Sequence, residues 1–284
     1  MGAARIGSFA AAVVVAAVVA GGAGADGLPV LGIDVGADGV AADGGAVRYV
    51  TIPARGDTVV AQVARSGGRV VRWRLVRGTF TIPAVAYDRS AGGLAADGRT
   101  LALIAPRLGF PRTDTTLLVL DARRLAPRRS VRLRGDFSFD AISPGGRWLY
   151  LIQYLSPRDP TRYAVRAYDV RAGRLAPRRV VDPREPGERM QGVPLSRAAS
   201  TDGRWAYTLY ARAAAPPFVH ALDTAHRTAR CIDLDALARV DVSRARLRLA
   251  ADGRTLVVRD PGGALAFVDP TTWTVTGRDN RGRT

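Results

Sequence analysis

The 284-residue chain contains no lysine and very little glutamate, histidine, methionine, asparagine or cysteine. With Lys absent and Glu reduced to Glu185 and Glu188, few helix formers remain beyond Ala, Leu and Arg. Val, Thr, Tyr, Trp, Gly and Asp are kept, which argues against a helical bundle or coiled coil. The lone Cys231 excludes an internal disulfide, and its setting in the alternating Ala-Arg-Cys-Ile-Asp-Leu predicts burial on a strand rather than pairing between chains. With His220 and His226 the only histidines, no His or Cys pair offers a zinc site and no nucleophile motif stands beside either ring.

The charge is lopsided. All 42 basic residues are Arg against 25 acidic ones, a formal net charge of +17. Arg, Ala, Gly, Pro and Val are also the residues of GC-rich codons, so part of this charge reflects the genome. The arginines are spread over the whole chain in runs no longer than a pair, apart from the Arg244-Ala-Arg-Leu-Arg248 alternation. That spread, with the export signal below, argues against nucleic acid and for an anionic envelope polymer or a protein as partner.

Residues 1–25 read as a secretory signal peptide. Arg5 precedes the apolar run Phe9 to Ala20, and small residues end at Ala23-Gly24-Ala25 before Asp26. The run is shorter than the ~20 residues a spanning helix needs, so we expect cleavage, no membrane span afterwards, and a secreted or periplasmic protein at the cell envelope. Residues 26–284 then form one domain, long enough to bury roughly 70–75% of its unfolded surface.

Internal repetition sets the fold. Arg-Leu-Ala-Pro-Arg-Arg occurs at 124–129 and again at 174–179, 50 positions later. Asp43-Gly44, Asp97-Gly98-Arg99, Gly145-Gly146-Arg147, Asp202-Gly203-Arg204 and Asp252-Gly253-Arg254 each precede an apolar β run, at spacings of 54, 48, 57 and 50. The next strand ends in Asp at Asp121, Asp169, Asp223 and Asp269, and the first copy breaks this at Ala64. Asp-Gly suits the tight turns because Gly accepts positive φ and Asp bonds its own backbone. Periods of 40 to 50 residues built from strands mean propeller blades. The pattern resembles the secreted bacterial YVTN/WD40-like, TolB-like repeat propellers, a resemblance specific for fold and weak for function. We therefore expect an all-β propeller of five four-stranded blades, with six as the alternative, in units of roughly 36–80, 87–135, 136–182, 190–240 and 243–278. Residues 28–34 are expected as an extra strand, able to pair with the last blade and close the ring.

Aligning the copies on the Asp-Gly turn places Asp38, Gly92, Asp140, Arg197 and Leu247 at one position near the mouth of the central channel. Long loops at 106–114, 156–163 and 211–218, and long connections at 78–88 and 182–196, elaborate that same face, where function concentrates in repeat proteins. Arg107, Arg112, Arg158, Arg162, Arg184 and Arg189 are expected there with Phe110, Phe137, Phe139, Tyr154, Tyr163 and Phe218. Guanidinium forks beside aromatic rings suit carboxylates, sulfates, phosphates or sugars. The predicted ligand site is Asp38, Asp140, Tyr154, Arg158, Arg162, Tyr163 and Arg197, a non-catalytic binding or scaffold surface. At Asp140 and Arg197 the competing reading is a structural salt bridge between blades. The enzymatic alternative is hydrolysis of an envelope glycan or lactone through Asp38, Asp140 and Glu185 or Glu188. No cofactor is expected, and Asp34, Asp38 and Asp43 lack the spacing of a calcium loop.

Overall fold

A computed structural model describes residues 39–277, apart from 43, 161, 188 and 189. The expected signal segment, the strand at 28–34, Asp38, Glu188 and Arg189 lie outside these. The described residues are almost entirely β. Their strands are β1 (Val47–Ala54), β2 (Asp57–Ala64), β3 (Val70–Val76), β4 (Thr100–Ile104), β5 (Asp114–Asp121), β6 (Ala126–Arg134), β7 (Phe137–Ile142), β8 (Trp148–Tyr154) and β9 (Tyr163–Asp169). The series continues with β10 (Arg174–Val180), β11 (Val193–Ala199), β12 (Trp205–Ala211), β13 (Phe218–Asp223), β14 (Thr228–Asp233), β15 (Arg246–Leu249), β16 (Leu256–Asp260), β17 (Gly263–Val268) and β18 (Val275–Gly277). A single 3-10 turn, Asp235–Leu237, interrupts them.

Consecutive strands pair antiparallel into separate sheets in chain order: β1–β3, β4–β6, β7–β10, β11–β14 and β15–β18. This is a layout consistent with a β-propeller. Apolar side chains pack between neighbouring sheets. Val60 and Tyr49 meet Leu101 and Leu103, Val119 and Val131 meet Phe137 and Leu149, Tyr150 meets Leu222, and Tyr207 meets Leu256.

Two sheets depart from the expected four strands. In the first and second, the innermost strand is reduced to the isolated bridges Val40 to Tyr49 and Leu94 to Leu101. The cause in the second is local. Pro83 offers no N–H to a ladder, and Gly93, at φ +96, has the Ala102 carbonyl oxygen 2.3 Å from where a Cβ would stand. The chain instead folds back as a hairpin from Ile82 to Gly93, held by Gly92 N–H to Pro83 O (2.9 Å) and Val85 N–H to Ser90 O (2.9 Å). Its tip reaches past the third sheet, and the N–H groups of Tyr87 and Asp88 donate to the carbonyls of Pro194 and Leu195 on β11 (2.8 and 3.1 Å). Gly93→Ala is expected to cost at least about 2 kcal/mol, because a left-handed φ and a carbonyl overlap are imposed together. Chemical denaturation of the variant measures it.

The repeated motif residues share a task at the opposite end. Asp97, Asp202 and Asp252 each accept the N–H of the Arg two residues on, all at 2.9 Å. The strand-ending Asp169 and Asp223 accept turn N–H groups and also take a fork from Arg147 and Arg204, Nη2 at 2.9 and 2.8 Å. In the third and fourth sheets the Arg after the turn thus clamps the Asp that ends a later strand, whereas Asp121 pairs with Arg128 instead.

Candidate functional site

The strand register places the starts of β7 and β9 beside the end of β8, since Phe137 pairs with Gln153 and Tyr163 with Tyr154. The loops at 155–162 and 181–192 therefore open on one end of the sheets, away from the Arg-Asp clamps.

On β7, Asp140 is the extra residue of a bulge, with Phe139 opposite Leu151 and Ala141 opposite Tyr150. A bulge redirects a side chain from strict alternation, and here Ser138, Phe139 and Asp140 all line one small cavity. Its volume is about 30 Å³, and Tyr154, Tyr163, Tyr210 and Val85 of the hairpin complete the wall. The Asp140 carboxylate is paired with Arg197 of β11, both side chains being nearly buried. The pair ties the third sheet to the fourth. Burial raises the Tyr154 hydroxyl to about 12 and pushes those of Tyr163 and Tyr210 well above their ordinary value too. All three stay neutral, and the Tyr163 hydroxyl has no hydrogen-bond partner in its buried place.

A second, larger cavity of about 540 Å³ lies against the other side of Tyr163. Arg162, Asp159, Arg179, Met190 and Gln191 line it, joining the 155–162 loop to the connection that follows β10. Tyr163 is the shared wall of the two cavities.

The predicted residues thus divide. Asp140, Tyr154 and Tyr163 line the inner cavity, Arg197 reaches it through Asp140, and Arg162 with Tyr163 lines the outer one. Arg158 lines neither, and its N–H is turned onto Ser156 Oγ. The wider cluster of arginines and aromatics also splits. Arg107 is buried, bonded to Asp136 and Ser138, and packed 4.8 Å from the Tyr154 ring. Arg112 bonds Asp136 and the carbonyls of Ala105 and Phe137. Both are committed to Asp136 inside the fold, beside a cavity of about 10 Å³. Phe137, Phe139 and Phe218 are core side chains, and Arg184 is folded onto Asp182.

Asp136 was invisible in the motif alignment because it precedes the inner strand, outside the repeated segment. Ser138 and Tyr210 were missed because bulges at Asp140 and Leu195 shift the register that the alignment assumed. His220 is buried against Tyr210, and burial, opposed in part by Asp140, lowers it to about 4. His226 is exposed on its turn, its ring on Asp223 at 2.9 Å. Cys231 is half-buried, not buried as expected, since it stands on the outermost strand of its sheet.

Similar sheet arrangements occur among solved structures at low identity. TolB from Acinetobacter baumannii is 13% identical over 79% of this chain and 49% of that one, with a TM-score of 0.42. The dihydro-heme d1 dehydrogenase NirN in complex with DHE is 14% identical over 84% and 44%, at 0.49. The Swd1 β-propeller domain of Myceliophteria thermophila is 12% identical over 76% and 60%, at 0.44. The chain spans about half the length of that TolB. No protein-family model matches the sequence, and no curated protein matches it. At these values the likeness says nothing of ligand or activity. Among the described residues, no three of His, Cys, Asp and Glu gather as a metal site, and no helix is long and apolar enough to cross a membrane.

Proposed function

We propose that the chain is an exported five-bladed propeller that serves as a non-catalytic binding or scaffold module at the cell envelope. Its ligand enters the 540 Å³ cavity between the 155–162 loop and the connection after β10. The observation that carries this reading is the cavity's lining. Arg162 and Arg179 stand beside the flat Tyr163 ring and the flexible Met190, a combination suited to an anionic group on an apolar or sugar body. Asp140 is taken up by Arg197 and lines the inner cavity behind Tyr163, not the cavity proposed for the ligand. The hydrolase alternative needs two free carboxyls across a cleft, whereas Asp140 is held by Arg197 and Glu185 is exposed on a surface turn.

Binding of the full-length chain to an array of sulfated and uronic-acid oligosaccharides, at low and high salt, tests the reading. Arg162→Ala is expected to reduce the signal about tenfold or more, the worth of one charge-assisted bidentate contact. Arg158→Ala is expected to leave it unchanged. Signals that vanish in salt equally for all three proteins would reduce the binding to net charge.

A further inference from the structure

The arginine-rich strand at 69–77 has the alternating pattern of an outer strand that hides its apolar residues. It does not hide them. Val70, Trp73 and Leu75 are 53, 64 and 51% exposed, and Ile52 on β1 is 48% exposed. Register puts these four on one face, because Leu75 opposes Val59 and through it Ile52, while Trp73 opposes Ala61 and Val70 opposes Val63. The other face of the sheet, with Tyr49 and Val60, packs on the second sheet. A contiguous exposed patch of this kind marks an interaction surface.

Its charge narrows the partner. Arg55, Arg65, Arg69 and Arg77 are exposed at the ends of its strands, Arg72 and Arg74 are exposed on the same outer strand but opposite Gln62 and Val60 on its other face, and Asp57 is the sole acidic residue from 47 to 77. A second copy placed edge to edge would bring two such rows of guanidinium groups together. A glycan would leave the aliphatic side chains with nothing to bury into. We propose that this face docks on an anionic phospholipid bilayer. Trp73, Leu75, Val70 and Ile52 enter the headgroup boundary, and the arginines reach phosphates from its rim. The contact stays shallow, because a strand carried into hydrocarbon would leave backbone groups unsatisfied. It is separate from the cavity beside Tyr163, and it requires this face of the first sheet to stay uncovered by the fifth, to which no apolar cluster joins it among the described residues.

Hydrogen exchange of the full-length chain, read on peptides covering residues 69–77, tests this locally. Vesicles of phosphatidylcholine with about one third phosphatidylglycerol are compared with phosphatidylcholine alone. Anionic vesicles are expected to slow exchange at 69–77 about tenfold, as burial of a single Leu already supplies that factor, and neutral vesicles to leave it unchanged. The Trp73→Ser, Leu75→Ser double variant, altered only at exposed positions, is expected to keep its melting temperature and lose the protection. Protection that grows with protein concentration without vesicles would mean a second copy and overturn the proposal. Equal exchange with and without anionic vesicles would also overturn it.

Discussion

Asp136→Ala is expected to lower stability by about 3–5 kcal/mol, the cost of removing one partner from a buried ion pair. For a chain of this size that is a fall in melting temperature of roughly 6–20 °C, read by calorimetry. Asp136 holds Arg107 and Arg112 at once, and it also accepts the Arg112 backbone N–H at 3.1 Å. Side-chain exposures of 3% for Asp136 and 4% for Arg107 leave no water to take over the lost contacts. Arg112 feels the strain already, since burial and the neighbouring Arg107 lower its pKa, against the pull of Asp136. The variant strands two guanidinium groups together in the interior, and Phe110 and Tyr154, which pack on Arg107, lose their anchor. Asp114→Ala is the control. Its pair with Arg132 is solvated on both sides, so the melting temperature is expected to stay where it was.

Acidification from pH 6.5 to 4 is expected to remove about 3 kcal/mol through His220 alone. Burial lowers this imidazole to about 4 from an ordinary 6.5. The folded state therefore refuses a proton that the unfolded chain accepts. Above pH 6.5 neither state binds it and nothing changes. Below that, stability falls with a growing slope until the folded ring itself titrates near 4, and about 2.5 units correspond to about 3 kcal/mol. Denaturant midpoints across this range measure the loss, and His220→Phe is expected to flatten it. Carboxyls such as Asp169 and Asp223 act in a different window. Burial pushes them up, but Arg147, Arg204 and turn N–H groups outweigh it and hold them below the ordinary value of 3.8. Their contribution is fully present above about pH 5 and is lost progressively as pH falls through 3.8, so it overlaps only the acid end of the His220 step.

Turns and strands were legible because each is written in a few adjacent residues. Asp-Gly-Arg followed by an apolar run, and a later strand ending in Asp, locate β4, β8, β12 and β16 and their partners. The Arg147 and Arg204 clamps join those distant motifs in the third and fourth sheets. What escaped depends on shape at longer range. A bulge at Asp140 changes which neighbours share its side, and period-two counting contains no bulges. The pairing of Asp140 with Arg197 was suggested by their common alignment position, yet the roles of Ser138 and Tyr210 beside them depended on the shifted register. In the second unit, Gly92 and Gly93 stood where a strand was expected, and only the fold shows the chain turned aside there into a hairpin.

That hairpin alters the kind of polymer the chain is. In a plain repeat array each unit touches only its neighbours, so units can fray one after another from either end. The bonds from Tyr87 and Asp88 to β11 close a long loop that encloses the whole third sheet. The second and fourth sheets are thereby joined directly by backbone bonds, beyond the apolar packing each shares with the third.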